Sequence, residues 1–86
     1  MDVKAKLATA KKKVKAGEKY VHYKSPEKPY TILNVALLEA DTEPCVVYES
    51  AEDDNHGDKL VWVRPFSSFF AEVETDGKMV SRFKKV

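Results

Sequence analysis

The spacing of apolar residues changes character at Gly17. Before it, Val3, Leu7, Ala10 and Val14 recur at three- and four-residue steps, the period of a helix with one buried stripe. Ala and Lys fill the remaining positions, and both propagate helix well. Asp2 is placed to cap the start, where a carboxylate suits exposed N–H groups and the positive end of the helix dipole. Lysines crowd the last turns, where cations suit the negative end, and Gly17 is placed to end the helix in a left-handed conformation. The pattern predicts a basic amphipathic helix over residues 1–16. A helix this short is marginal alone, so Val3, Leu7 and Val14 are expected to dock on the remainder or on a second chain.

From residue 17 to 86 the pattern shortens to strand length. Lys19 to Tyr23 alternates, with Tyr20 and His22 on one face. Ser25 to Pro29 reads as a loop, since two prolines cannot donate to a ladder. Tyr30 to Leu38 is the second strand, with a bulge or bend suggested at Asn34. Cys45 to Tyr48 and Leu60 to Arg64 are the third and fourth, separated by a polar loop over residues 50–58. Pro65 stops the fourth strand, and Phe66 to Phe70 has the spacing of a single helical turn. The dipeptide Asp76-Gly77 joins Ala71–Thr75 to Met79–Phe83 as a hairpin. Short strands with no helices between them predict a mainly β domain over residues 17–86: a small antiparallel SH3-like barrel of about five strands. An OB-fold is the alternative, but its five strands usually need more chain.

Composition narrows the class. Eighty-six residues, 43% hydrophobic and 34% charged, suit one globular domain and exclude a two-domain cofactor enzyme. No stretch approaches the ~20 apolar residues of a membrane span. A single cysteine cannot form an internal disulfide, and a cytoplasmic location is expected. The net charge of +1 conceals a division. Residues 1–16 hold six lysines and one aspartate, or +5; residues 17–86 hold nine basic and thirteen acidic residues, or −4. Lys4, Lys11, Lys12, Lys13 and Lys15 are therefore nucleic-acid candidates, against the plainer reading of a solvated helix face. The acidic body would repel the same phosphates, so any such binding is expected to be weak.

Catalytic motifs are sparse. Cys45 starts an apolar strand and reads as a buried, inert thiol. His56 lies in an Asp/Asn/Gly loop. A calcium loop starting at Glu52 would have Gly57 at its sixth position, but His56 takes the fifth and Val63 the twelfth, where a bidentate Glu belongs. No motif calls for a metal or cofactor. What remains is a polar-aromatic set of ligand-binding candidates: Tyr20, His22, Tyr48, Trp62, Arg64 and Arg82. Alternation puts Trp62 and Arg64 on one strand face. Core packing is the competing reading for Trp62 and Tyr20, and an ion pair with Glu49 or Glu72 for Arg64.

The run Tyr20-Val21-His22-Tyr23-Lys24, then Tyr30-Thr31-Ile32, Glu43-Pro44-Cys45-Val46-Val47-Tyr48, Trp62-Val63-Arg64-Pro65, Phe69, Asp76-Gly77 and Arg82-Phe83 resembles the bacterial family called domain of unknown function 1653. The resemblance covers about residues 17–83. It implies an SH3-like barrel and assigns no activity, since the family is named for having none known. The chain departs from the pattern at Ser25, where family members usually carry Gly, and at Leu38-Glu39-Ala40-Asp41, where they tend to carry a His-Ser-Glu-Thr-like stretch.

Three functions follow, in order: a non-catalytic module binding a small ligand or a peptide on an aromatic-polar groove near Trp62; a nucleic-acid- or ribosome-associated protein using the lysine helix; and a small or auxiliary enzyme using His22. Both a monomer and a homodimer fit the sequence.

Overall fold

A computed structural model describes residues 2–86. The helical period becomes α1 (Val3–Lys13), and its N-cap Asp2 accepts a hydrogen bond from the Lys4 N–H at 2.9 Å. The helix stops three residues short of the expected end. Val14 turns to extended backbone (φ −134, ψ 131) and is 1% exposed. A β-branched residue gains more by entering the core than by prolonging a helix. Gly17 does adopt a left-handed conformation (φ 91), but in the turn beyond, where its N–H donates to the Ile32 carbonyl at 2.8 Å. Leu7, Ala10 and Val14 join the core. Val3, expected beside them, is exposed.

The strands are β1 (Lys19–His22), β2 (Ser25–Leu37), β3 (Pro44–Asp53), β4 (Lys59–Pro65), β5 (Glu72–Thr75), β6 (Lys78–Ser81) and β7 (Phe83–Lys85), with the one-turn helix α2 (Phe66–Phe69) after β4. All pairings are antiparallel. Five strands form one sheet in the order β4-β3-β2-β1-β7, and β5-β6 form a separate hairpin. The mainly β antiparallel domain with an N-terminal helix is present. Its sheets do not close into a barrel, because β5 and β6 pair only with each other and, among the described residues, no strand bridges the β4 and β7 edges. No helix among the described residues is long and apolar enough to cross a membrane.

Local chemistry explains where strands bend and stop. Ser25–Pro29, expected as a loop, lies within β2. Pro26, Glu27 and Lys28 have no partner in β1 or β3, so Pro26 costs the ladder no hydrogen bond. Asn34 sits at a register shift, and its side-chain oxygen accepts from the Val35 N–H at 2.8 Å, which replaces a lost ladder contact. Asp76 (φ 51) and Gly77 (φ 76) supply the two left-handed residues of the expected tight hairpin. The last strand breaks at Arg82, whose N–H donates to Ala71 at 2.9 Å while its carbonyl accepts from Tyr23 at 3.0 Å. That break returns the chain to β1 as β7. The free Cys45 is buried, and burial raises its thiol pKa, as an inert thiol requires.

The core is largely aromatic. Phe69 and Phe83 stack with centroids 4.3 Å apart, and Tyr20 and Tyr48 meet Phe69 edge-on at 5.3 and 5.6 Å.

Candidate functional site

Strand register builds the site. Residues opposite one another in an antiparallel pair share a sheet face. Tyr48 lies opposite Trp62 and Val46 opposite Arg64; Ile32 lies opposite Tyr48, Tyr20 opposite Tyr30 and His22 opposite Phe83. One face therefore carries Tyr20, His22, Tyr48, Trp62 and Arg64 of the polar-aromatic set; Arg82, between β6 and β7, has no strand partner. Part of it is sealed with the core, where α1 and α2 contribute Ala10, Val14 and Phe69. Another part opens as a cleft of about 290 Å³, which brings together His22, Tyr48, Trp62 and Arg64 with Lys24, Ser25, Tyr30 and Phe83.

Each wall is held by its own contacts. Trp62 is 46% exposed, and its indole N–H donates to Ser50 Oγ at 3.3 Å. The ring is thus fixed at one edge and open on a face. Arg64 is partly buried. Its Nη1 donates to Ser68 Oγ at 2.9 Å, and its guanidinium carbon lies 5.5 Å from the Phe83 ring centroid. Among the described residues it makes no ion pair with Glu49 or Glu72; the one ion pair joins Lys85 to Glu18 at 2.6 Å. His22 packs edge-on against Phe83 at 5.1 Å, and its Nδ1 accepts from the Lys24 N–H at 3.1 Å. That bond places the proton of the neutral ring on Nε2.

The cleft is electropositive. No carboxylate lines it. The imidazole of His22 is held below its usual pKa, first by burial and then by the charges of Arg64, Arg82 and Lys24. His22 is thus mostly neutral at pH 7.

Two sequence candidates stand elsewhere. Tyr20 is buried at 5% exposure, and burial raises the pKa of its phenol; it belongs to the core. Arg82 acts on His22 by charge without lining the cleft, and its Nε is buried with no hydrogen-bond partner. Four lining residues escaped the sequence reading: Lys24, Ser25, Tyr30 and Phe83. The signal for Ser25 was obscured by the neighbouring prolines, which suggested a loop. Phe83 shares a face with His22 only because of the break at Arg82.

The helix lysines lie apart from this cleft. Lys13 Nζ sits 4.1 Å above the Phe70 ring, and Lys6 Nζ donates to Thr42 Oγ1 at 3.1 Å. Lys4, Lys11, Lys12 and Lys15 are exposed. A larger groove of about 500 Å³ runs between α1 and Pro44 and Phe66. Its polar lining includes Asp2, Lys6, Thr9 and Lys13, and each already has a partner within the fold. The smaller cleft has the convergent chemistry. Among the described residues no cluster of His, Cys, Asp or Glu could hold a metal ion.

The family model described as "Protein of unknown function (DUF1653)" matches residues 18–85. The chain belongs to that family. No curated protein and no solved structure matches it. The DUF1653 segment begins beyond α1 and contains every residue that lines the cleft. Leu38–Asp41, where the chain departs from the family pattern, does not line it.

Proposed function

We propose that this protein is a non-catalytic binding module whose cleft takes a small anionic ligand with a flat apolar part. The observation that carries the reading is the pairing of Trp62 and Arg64 at one opening without a carboxylate between them. A carboxylate or phosphate pairs with the guanidinium fork, a geometry that gives charge-assisted hydrogen bonds. The flat part lies on the open indole face. Tyr30 and Phe83 supply the apolar floor, and the Nε2–H of His22 adds a neutral donor. An enzyme reading has less support. The Nδ1 of His22 is occupied by a backbone N–H, so no carboxylate orients the ring as a general base.

The test uses Trp62, the single tryptophan, as its own reporter. Phenyl phosphate and benzoate are titrated against the full chain while indole fluorescence is followed, with benzyl alcohol as the uncharged control. Both anions are expected to change the emission saturably, and benzyl alcohol is not. Arg64→Gln removes a charged hydrogen bond worth about 1.5–3 kcal/mol and is expected to weaken binding roughly 10- to 100-fold. Equal responses to the anions and the alcohol, or full affinity in Arg64→Gln, would overturn the reading.

A further inference from the structure

We infer that β4 is a self-pairing edge, on which two copies of this chain join antiparallel about a two-fold axis at Trp62, uniting two five-stranded sheets into one continuous sheet. An edge strand presents alternate N–H and C=O groups without partners. Folded proteins blunt such edges with short length, charge or proline. The β7 edge is blunted in this way: it has three residues, and Lys84 and Lys85 are exposed. The β4 edge is not. It runs seven residues, with the charges of Lys59 and Arg64 and the proline Pro65 confined to its two ends. Between them Val61 is 56%, Trp62 46% and Val63 62% exposed, so both sheet faces are apolar along the edge.

Charge selects the occupant. Asp53, Asp54 and Asp58 gather at the entry to β4, where Asp54 Oδ1 accepts from the N–H groups of His56 and Asp58 at 2.7 and 3.2 Å. Arg64 stands at the exit. A parallel partner would bring like ends together. An antiparallel copy brings the acidic entry of each chain toward the arginine exit of the other, which is the self-complementarity a two-fold interface demands. With Trp62 on the axis, Val61 of each copy faces Val63 of the other on the outer face. Leu60 then faces the other copy's Arg64, with Asp58 diagonal to it. The two indoles meet on the inner face. The inference does not rest on the proposed function, although the interface shares Trp62 and Arg64 with the cleft.

Pairing one strand buries little beside a standard interface of ~1,600 Å², so the dimer is reversible. Sedimentation equilibrium over about 10 μM to 1 mM, a range that brackets weak association, is expected to fit a monomer–dimer equilibrium. Val63→Lys, with its circular dichroism unchanged, is expected to move the protein at least 10-fold toward monomer. Met79→Lys, at an equally exposed apolar position on β6, leaves the equilibrium in place. Trp62→Cys sets two thiols opposite one another, with Cβ atoms about 4.5–5.5 Å apart, and is expected to cross-link as a dimer on oxidation. A monomer at every concentration, open-ended growth, or a dimer indifferent to Val63→Lys would overturn the inference. So would a chain that stays monomeric while an acidic extended peptide pairs with β4.

Discussion

Two contacts aim the Arg64 guanidinium: the hydrogen bond to Ser68 and the Phe83 ring. Neither is an ion pair, so truncation leaves no buried carboxylate unpaired. Arg64→Ala loses a hydrogen bond from a charged donor, worth up to about 1.5–3 kcal/mol where fully buried and less at this partly exposed site, and a cation–π contact of about 0.5–1 kcal/mol. It should remain folded, with a melting temperature lowered by several degrees in a thermal scan. An unfolded variant would show that the arginine serves the fold far more than these contacts allow. His22 carries a pH dependence. Its folded-state pKa lies below the ordinary ~6.5, because burial and the cations Arg64, Arg82 and Lys24 oppose its protonation. The unfolded chain therefore binds the proton more readily. The His22 contribution to stability is complete above about pH 6.5 and declines as pH falls toward the folded-state value. Denaturant midpoints measured between pH 8 and 5 should show this decline, and His22→Gln should flatten it. Strand alternation alone placed Trp62, Arg64 and His22 on faces. The exposure of Trp62 was not legible, because an aromatic in a strand reads equally as core until a neighbouring wall is known to be missing.

Helix α1 shows how an element can be legible in type and illegible in its boundary. The three-to-four period and the Asp2 cap mark a helix, yet Lys and Ala carry no signal for where it stops. Val14 decides that by entering the core, and the decision is tertiary. Val14→Ala removes two methyl groups from a site 1% exposed and should cost about 1.5–3 kcal/mol in urea unfolding. Val3→Ala, at an exposed position, should cost far less; equal losses would contradict the docking described for α1. The turn of the β5–β6 hairpin was legible, because Asp76-Gly77 encodes it; the second strand, expected to run to Phe83, instead stops at Ser81, and Phe83 joins β7. Gly77 holds φ 76, a conformation that strains an L-residue by about 1–2 kcal/mol. Gly77→Ala should therefore lower stability by roughly that amount, although a Cβ there meets no atom within 4 Å. A neutral result would mean that the turn relaxes. The strands β2 and β3 run longer than their apolar cores suggest, because the outlying pairs His22–Ser25 and Asp53–Lys59 hold extended backbone beyond the regular register, through residues such as Pro26 and Glu52 that have no strand preference of their own.

Across the whole molecule, one aromatic layer serves both as core and as the floor of a binding surface. Phe83 stacks on Phe69 on one side and meets His22 on the other, so the cleft inherits its rigidity from the core. The basic helix lies outside the family segment and contributes Leu7, Ala10 and Val14 to that core, while its charges stay apart from the cleft. The decisive measurement follows the Trp62 indole Nε1–H and the backbone amides by two-dimensional NMR while phenyl phosphate is added to the full chain. The account predicts a saturable shift of the indole signal together with His22, Lys24, Ser25, Tyr30 and Arg64. It is contradicted if those signals stay still, or if the shifts gather instead on Lys4, Lys11, Lys12 and Lys15.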